Sequence, residues 1–362
     1  AVVRHAGRRS QSDSRHVFTL RQYLLALLDS RGLTRTLGEI DVCRDEQGRP
    51  CFSAGNSAAV FRIRLGGRIR SLRCYLRPMR HLKEIYGQRL LEKELYLHTS
   101  PETGVWVDTV LGDWIEGSTL HETVAQAAAL RDRESLQILV RLFDRLALAL
   151  VTDDRAHGDL KPENIIVGDD GTLCPIDFDA SYLPAFAGEI SPELGTAAYQ
   201  HPARTAADFD ERIDDYPAAL ISTALHALAE DPTLWDRYGS SDGLLYTPQR
   251  IASDPAYRET LALFEKRGMA VQYRIAQLLT APTLRLFGLA ELLAEAVREK
   301  PAARSGTEAE TPELFVENGR WGYRTAERVV VAPLYDNGFD FTEGLAAVQL
   351  GGTWHYFDTA GR

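Results

Sequence analysis

The chain has 362 residues, of which 44% are hydrophobic and 25% charged, and it carries a formal net charge of −10. That is enough for two or three domains with a buried core, and it excludes a disordered chain. The negative balance argues against nucleic acid as a partner, because phosphate backbones are held by surplus lysine and arginine. Cys43, Cys51, Cys74 and Cys174 are scattered, with no CxxC pair or histidine cluster, so reduced thiols are expected and not a disulfide framework or zinc site. No apolar run reaches the ~18–20 residues of a bilayer span. The basic start at Arg4, Arg8 and Arg9 leads into no cleavage signal. A cytoplasmic protein without a membrane partner is expected.

Taken in order, residues 1–16 are polar and rich in Ser and Arg. Leu20, Leu24, Leu27 and Leu28 then recur at helical spacing beside Arg21, Gln22 and Asp29, which predicts an amphipathic helix over about 18–30, ended by Gly32. From Pro50 to Pro78 the pattern turns to short β segments, and Gly66-Gly67 between two alternating runs signals a hairpin. A helix is predicted over 82–98, followed by two strand-like runs around 105–107 and 109–115. Beyond Leu120 the periodicity is helical through 136–150, 217–228, 261–264 and 284–297. Pro, Gly, Ser and charge without periodicity around 298–312 read as a linker. Strands first and helices after imply an α+β chain with two lobes.

The chemistry concentrates in His157-Gly158-Asp159-Leu160-Lys161-Pro162-Glu163-Asn164. It follows a long amphipathic helix and precedes an apolar strand, Ile165-Ile166-Val167. A turn at Gly168–Gly171 leads to a second strand ending in Pro175-Ile176-Asp177-Phe178-Asp179. Phosphoryl transfer asks a protein for positioning, for positive charge around the moving phosphate, and for a carboxylate near the attacking hydroxyl. Asp159, Lys161 and Asn164 supply these groups on one loop, and Asp177 brings a second carboxylate from a neighbouring strand end. Hard oxygen ligands of this kind suit Mg²⁺.

This stretch resembles the catalytic and metal-binding loops of the protein kinases. The resemblance implies a two-lobed protein-kinase-like fold, with a β-rich N-lobe and a helical C-lobe, using ATP and Mg²⁺. It implies that Asp159 orients a substrate hydroxyl and takes its proton, that Lys161 meets the γ-phosphate, and that Asn164 and Asp177 hold the metal. Lys161 is the serine/threonine flavour of the motif. Ser53-x-Gly55-x-x-Ala58-x-Val60 resembles the Gly-rich loop over the ATP phosphates, with one of its three glycines kept. Thirteen residues on, Arg73 stands where the family has lysine; it keeps the charge but is longer and planar. Its implied partner is Glu92 on the predicted helix, with Glu94 as the rival. Leu111–Leu120 resembles the hinge, so that Asp113 to Ile115 would meet the adenine beside an open gatekeeper position at Gly112.

Gly195–Ala203 resembles the segment that closes the activation loop and supports a peptide, with Thr196 bonding toward Asp159 and Lys161. Asp214-x-Tyr216 fits the start of the central helix, where an Asp ties down the catalytic loop. Gly158 replaces the arginine that clamps an activation-loop phosphate, so activity independent of phosphorylation between Ala180 and Thr196 is expected. Ala203 replaces the glutamate that anchors the peptide platform.

In the tail, Asn318-Gly319-Arg320-Trp321-Gly322-Tyr323 recurs as Gly351-Gly352-Thr353-Trp354-His355-Tyr356. This resembles the WG repeat, a β-rich unit that packs on its neighbours. The boundaries implied are an N-terminal extension to residue 45, an N-lobe over 46–112, a C-lobe over 113–300, a linker over 301–312 and a WG segment over 313–362. The function implied is phosphorylation of Ser or Thr on a protein substrate, with a protein partner at the WG segment. The alternatives are a pseudokinase that binds nucleotide or scaffolds partners, and a small-molecule kinase, which the Thr196 segment disfavours.

Overall fold

The structure, a computed structural model, describes residues 17–298, 312–325, 328–339, 341, 345–350 and 353–358. The chain divides into two units, Ala1–Glu299 and Lys300–Arg362. In the first, alternating sequence builds an antiparallel sheet from β1 (Asp41–Val42), β2 (Phe52–Ala54), β3 (Ala58–Leu65), β4 (Arg68–Tyr75), β5 (Leu90–His98) and β6 (Gly104–Asp113). The order is β1-β3-β4-β6-β5, with β2 also paired to β3. Gly66 and Gly67 take left-handed φ values of 54° and 79°. They close the two-residue hairpin that sets Val60 opposite Arg73.

That register decides which side chains meet the cleft. Phe61, Ile63, Leu72, Cys74, Leu95 and Leu97 face one side, where α1 (Leu20–Leu28) lays Tyr23, Ala26 and Leu27 over them. Thr19 and Gln22 form a capping box at the start of α1. Leu28, predicted to lie on the apolar face, is exposed, and Tyr23 takes its share of the burial. Ala58, Val60, Arg73, Tyr75 and Val110 face the other side, toward α2 (Leu82–Tyr86).

The helix predicted over 82–98 does not form. It stops after five residues at Gly87, whose φ of 54° leaves the right-handed region, and the chain continues as a 3₁₀ turn and then β5. Leucines at 90, 91, 95 and 97 fit a helix face as readily as a strand edge, and pairing with β6 decides the outcome. Glu94, the rival partner for Arg73, fastens the N-terminal extension instead. Its buried carboxylate accepts N–H bonds from Arg35 (3.1 Å), Thr36 (2.8 Å) and Leu37 (2.8 Å), and the Thr36 hydroxyl at 2.6 Å.

The helical lobe contains a small sheet of β7 (Gly117–Thr119), β8 (Ile165–Gly168) and β9 (Leu173–Pro175). Its helices are α3 (Leu120–Ala129), α4 (Arg133–Thr152), α5 (Asp215–Glu230), α6 (Leu234–Tyr238), α7 (Pro255–Arg267), α8 (Ala270–Leu278) and α9 (Leu289–Arg298). α5 is buried almost along its whole length and runs through the middle of the core. In the second unit β10 (Glu313–Glu317), β11 (Arg320–Arg324) and β12 (Val329–Tyr335) form one sheet. β13 (Asn337–Gly338), β14 (Leu345–Leu350) and β15 (Thr353–Asp358) form another. Tyr323 joins them, donating to the Phe339 carbonyl at 2.6 Å within an apolar cluster with Val331, Ala346 and Val348.

Replacing Glu94 by Ala strands the Thr36 and Leu37 N–H groups and the Thr36 hydroxyl, while the Arg35 N–H keeps the residue 94 carbonyl at 2.9 Å. Glu94→Ala should lower the unfolding free energy by roughly 3 kcal/mol or more. Urea denaturation followed by tryptophan fluorescence measures it, and an unchanged midpoint would remove Glu94 as the anchor.

Candidate active site

The loop of residues 157–164 hangs from the central helix. Asp214, at the N-cap of α5, accepts the backbone N–H of His157 at 2.5 Å and of Gly158 at 3.0 Å. His157 Nε2 lies 2.8 Å from the Ile176 carbonyl and its Nδ1 lies 3.3 Å from the Asp159 N–H, which places the ring proton on Nε2. Gly158 has φ 81°, and a Cβ there would lie 2.0 Å from the Ala180 carbonyl oxygen, so only glycine fits. Its own carbonyl is met by buried Arg204 at 3.0 Å. Burial lowers the pKa of that guanidinium, with Asp214 and Asp159 pulling the other way. Next to Asp214, the buried Asp215 accepts the Leu286 N–H at 3.1 Å, and burial pushes its carboxyl up to about 6.

Above this loop lies a cavity of about 650 Å³. Ser53, Gly55, Ala58, Val60, Arg73, Asp159, Lys161, Asn164, Asp177 and Thr196 all line it, together with Ser57, Arg77, Asp179 and Glu193. Asp159 Oδ1 accepts the Thr196 N–H at 2.6 Å, and Lys161 Nζ lies 3.3 Å from Asp159 Oδ2. Lys161 donates to the Thr196 hydroxyl at 2.8 Å, and the Asn164 amide donates to the Asp159 carbonyl at 2.9 Å. The Asn164 amide nitrogen is therefore spent on the loop, and its side-chain oxygen is the atom that could meet a cation. At the opposite lip, Ser57 donates to Glu193 at 2.5 Å, and Arg77 reaches both Ser57 (2.6 Å) and Glu193 (2.8 Å).

Arg73 does not meet Glu92. Glu92 sits on strand β5, exposed, 3.3 Å from Lys83 and outside the cavity. Arg73 pairs instead with Asp177 and with Asp179, donating from Nε at 2.9 Å and from Nη2 at 2.5 Å to the latter. Burial opposes the guanidinium charge, but the two carboxylates more than offset it and raise its pKa. Burial also raises the Asp177 carboxyl, against the pull of Arg73. Asp177 adopts φ 65°, a left-handed conformation that costs a non-glycine residue energy and recurs at functional sites. Asp179, which no sequence argument singled out, stands where the kinase signature D-F-G has glycine. That acidic substitution was the available signal.

Asp113 and Ile115 do not line the cavity either. Asp113 is exposed and 3.2 Å from Arg70, and its carbonyl accepts the Ser71 hydroxyl at 3.1 Å. Arg62 pairs with Glu116 and stacks 5.6 Å from the Trp114 ring beside them. The opening expected at Gly112 is taken by the Ser71 hydroxyl, which would lie 2.8 Å from a Cβ there. The cavity thus gathers the residues assigned to phosphates and metal, and leaves out those assigned to the base.

A magnesium nucleotide suits what remains. The volume lies within the roughly 300–1,000 Å³ of small-molecule sites, and Asp177 and Asn164 offer hard oxygen while Arg73, Arg77 and Lys161 offer positive charge. Among the described residues no group of three or more His, Cys, Asp or Glu could hold a metal alone. Mg²⁺ needs no such cage, since it binds through one or two protein oxygens plus phosphates and water.

A β-rich lobe over a helical lobe, with this loop between them, is a protein-kinase-like domain, and a WG segment follows it. The chain is 28% identical over 172 residues to CBL-interacting protein kinase 17 of Oryza sativa subsp. japonica, which is 45% of this chain and 35% of that protein. It is 34% identical over 113 residues to serine/threonine-protein kinase PknL of Mycobacterium tuberculosis and of Mycobacterium bovis, 30% of this chain and 27% of each relative. It therefore spans about a third of the length of the curated relatives it matches. Residues 324–354 match the WG containing repeat. No described helix is long and apolar enough to cross a membrane.

Asp215 gives a pH test of the helix that carries the loop. A carboxyl raised to about 6 contributes its full stability below the unfolded value near 4 and loses it as pH rises to 6. Asp215→Asn should match the wild type at pH 4 and exceed it by on the order of 2–3 kcal/mol at pH 7.5. Melting curves between pH 4 and 8 measure the difference, and parallel pH profiles would contradict the assignment.

Proposed function

We propose that the chain is a Mg·ATP-dependent protein kinase that phosphorylates Ser or Thr hydroxyls. The observation that carries this is the joint hold of Asp159 and Lys161 by Thr196, at the mouth of a cavity that also holds Asn164 and Asp177. Asp159 presents a fixed carboxylate oxygen to an incoming hydroxyl and takes its proton. Lys161 lies beside it to offset charge on the transferring phosphoryl group. Asp177 and Asn164 would hold Mg²⁺, which when bound would neutralise charge on the phosphates. The segment through Thr196 would carry a peptide, so a protein is the substrate class, and the WG segment would recruit a protein partner.

A second reading is favoured by one feature. Arg73 is paired with the carboxylate that should hold the metal, as in a pseudokinase that binds nucleotide or scaffolds partners without transfer. The first reading is preferred because Asp159, Lys161, Asn164 and Asp177 are all kept and assembled.

Transfer of label from γ-labelled ATP to a generic basic protein decides between them. The wild type should transfer label only with Mg²⁺, and Asp159→Ala and Asp177→Ala should each lose at least about a hundredfold in rate. Nucleotide binding without transfer would establish the second reading. Because Gly158 leaves no arginine beside Asp159 to meet a loop phosphate, phosphatase treatment should leave the rate within about twofold. A severalfold drop, with a phosphate mapped between Ala180 and Thr196, would overturn that expectation.

A further inference from the structure

We propose that Asp179, supported by Tyr75 and Tyr86, is the positioning residue that holds Arg73 in the cavity and leaves Asp177 free to meet a metal-bound nucleotide. The inference rests on the magnesium-nucleotide reading of the site.

Arg73 has two anionic partners, and they are not equivalent. Asp179 takes the Nε hydrogen and shares Nη2, while Asp177 is reached by Nη2 alone. The Asp179 side chain is 3% exposed and that of Asp177 39%. The second oxygen of Asp179 accepts the Tyr86 hydroxyl at 2.6 Å and the Tyr75 hydroxyl at 3.0 Å. Two phenols and a forked guanidinium satisfy both oxygens of a buried carboxylate, and a network so completed is rigid. The carboxylate of Asp177 has no other hydrogen bond among the described residues, so it keeps lone pairs for a cation. Backbone geometry arranges the sharing. Asp177 is left-handed and Asp179 lies in the 3₁₀ turn Phe178–Ala180 directly after it, which brings both carboxylates to one guanidinium.

The helix that should have carried the counter-ion delivers something else. α2 contributes the Tyr86 hydroxyl, its acid Glu84 is exposed, and Glu92 lies on a strand. The link between the helix and the cation therefore runs from Tyr86 through Asp179 to Arg73. Without the charge on Asp179, Asp177 becomes the single anionic partner of Arg73, and the guanidinium competes directly with the metal.

The test is calorimetric titration of the full chain with the non-hydrolysable analogue adenylyl imidodiphosphate, at several Mg²⁺ concentrations, beside melting curves without ligand. Asp179→Asn keeps the volume and removes the charge. It should weaken analogue binding in Mg²⁺ about tenfold and raise the half-saturating Mg²⁺ concentration severalfold, as loss of an outer partner of a metal ligand does. Tyr86→Phe should move both in the same direction by about two- to fourfold. If Asp179→Asn does not fold, Tyr86→Phe and Tyr75→Phe carry the test. Folded variants with the Mg²⁺ dependence and affinity of the wild type would overturn the role of Asp179 alone. A wild type that binds no nucleotide with or without Mg²⁺ would overturn the nucleotide reading and this inference with it.

Discussion

The two hydrogen bonds from Asp214 to the backbone of His157 and Gly158 hold the site to the fold. A loop cannot place a carboxylate to within a fraction of an ångström unless its own main chain is held, and this main chain is held from the buried central helix. The arrangement of the candidate site follows from that attachment. Gly158 turns through its left-handed φ under the Ala180 carbonyl, and Asp159 then projects to the Thr196 N–H. Lys161 and Asn164 close the ring from the same loop. The bonds made by Asp214, by the Asp159 carboxylate and by the Lys161 ammonium are charge-assisted, so each is worth more than a neutral one. Their value here lies in fixing positions, since catalysis of phosphoryl transfer is mostly positioning and charge.

The loop geometry also accounts for the absence of an arginine before Asp159. There is no room for a Cβ at residue 158, and Arg204, from the segment after Thr196, is not exposed to a loop phosphate but buried and engaged with the Gly158 carbonyl. Burial disfavours its charge, and the nearby Asp214 and Asp159 make that position tolerable. The segment after Thr196 and the loop of residues 157–164 are thereby tied through one buried guanidinium.

The catalytic half of the site was legible because its residues are local. Asp159, Lys161 and Asn164 lie within six positions on one loop, and Asp177 follows across a single hairpin whose turn residues announce it. The N-lobe was legible only in part. Gly66-Gly67 fixed the register that sets Arg73 facing the cleft, but the partner of Arg73 depended on a helix that Gly87 ends early. Leucine spacing at 90, 91, 95 and 97 is ambiguous between a helix and a strand, and the neighbouring strand resolves it. Asp179 escaped because a carboxylate two residues beyond Asp177 has no local pattern. Its meaning comes from Tyr75 and Tyr86, roughly a hundred residues upstream. Asp113 and Ile115 lie outside the cavity lining for a related reason. Side chains that converge on the strand end, Arg62, Arg70 and Ser71, belong to two other strand segments and fill space that sequence spacing cannot see.

The charge inside the cavity carries the last step. Asp159, Glu163, Asp177, Asp179 and Glu193 line it against only Arg73, Arg77 and Lys161. Each of those three cations is already paired with one of the acids. A polyphosphate entering alone would therefore meet a wall of net negative charge in a partly desolvated space, where like charges cost most. A divalent cation arriving with it would offset that excess of two negative charges, and Asp177 has the exposure and free lone pairs to receive it. On the proposed reading, the excess of carboxylates over bases would favour a metal-complexed anion over a bare one, and the Arg73–Asp179 pair would keep Arg73 from holding Asp177 alone.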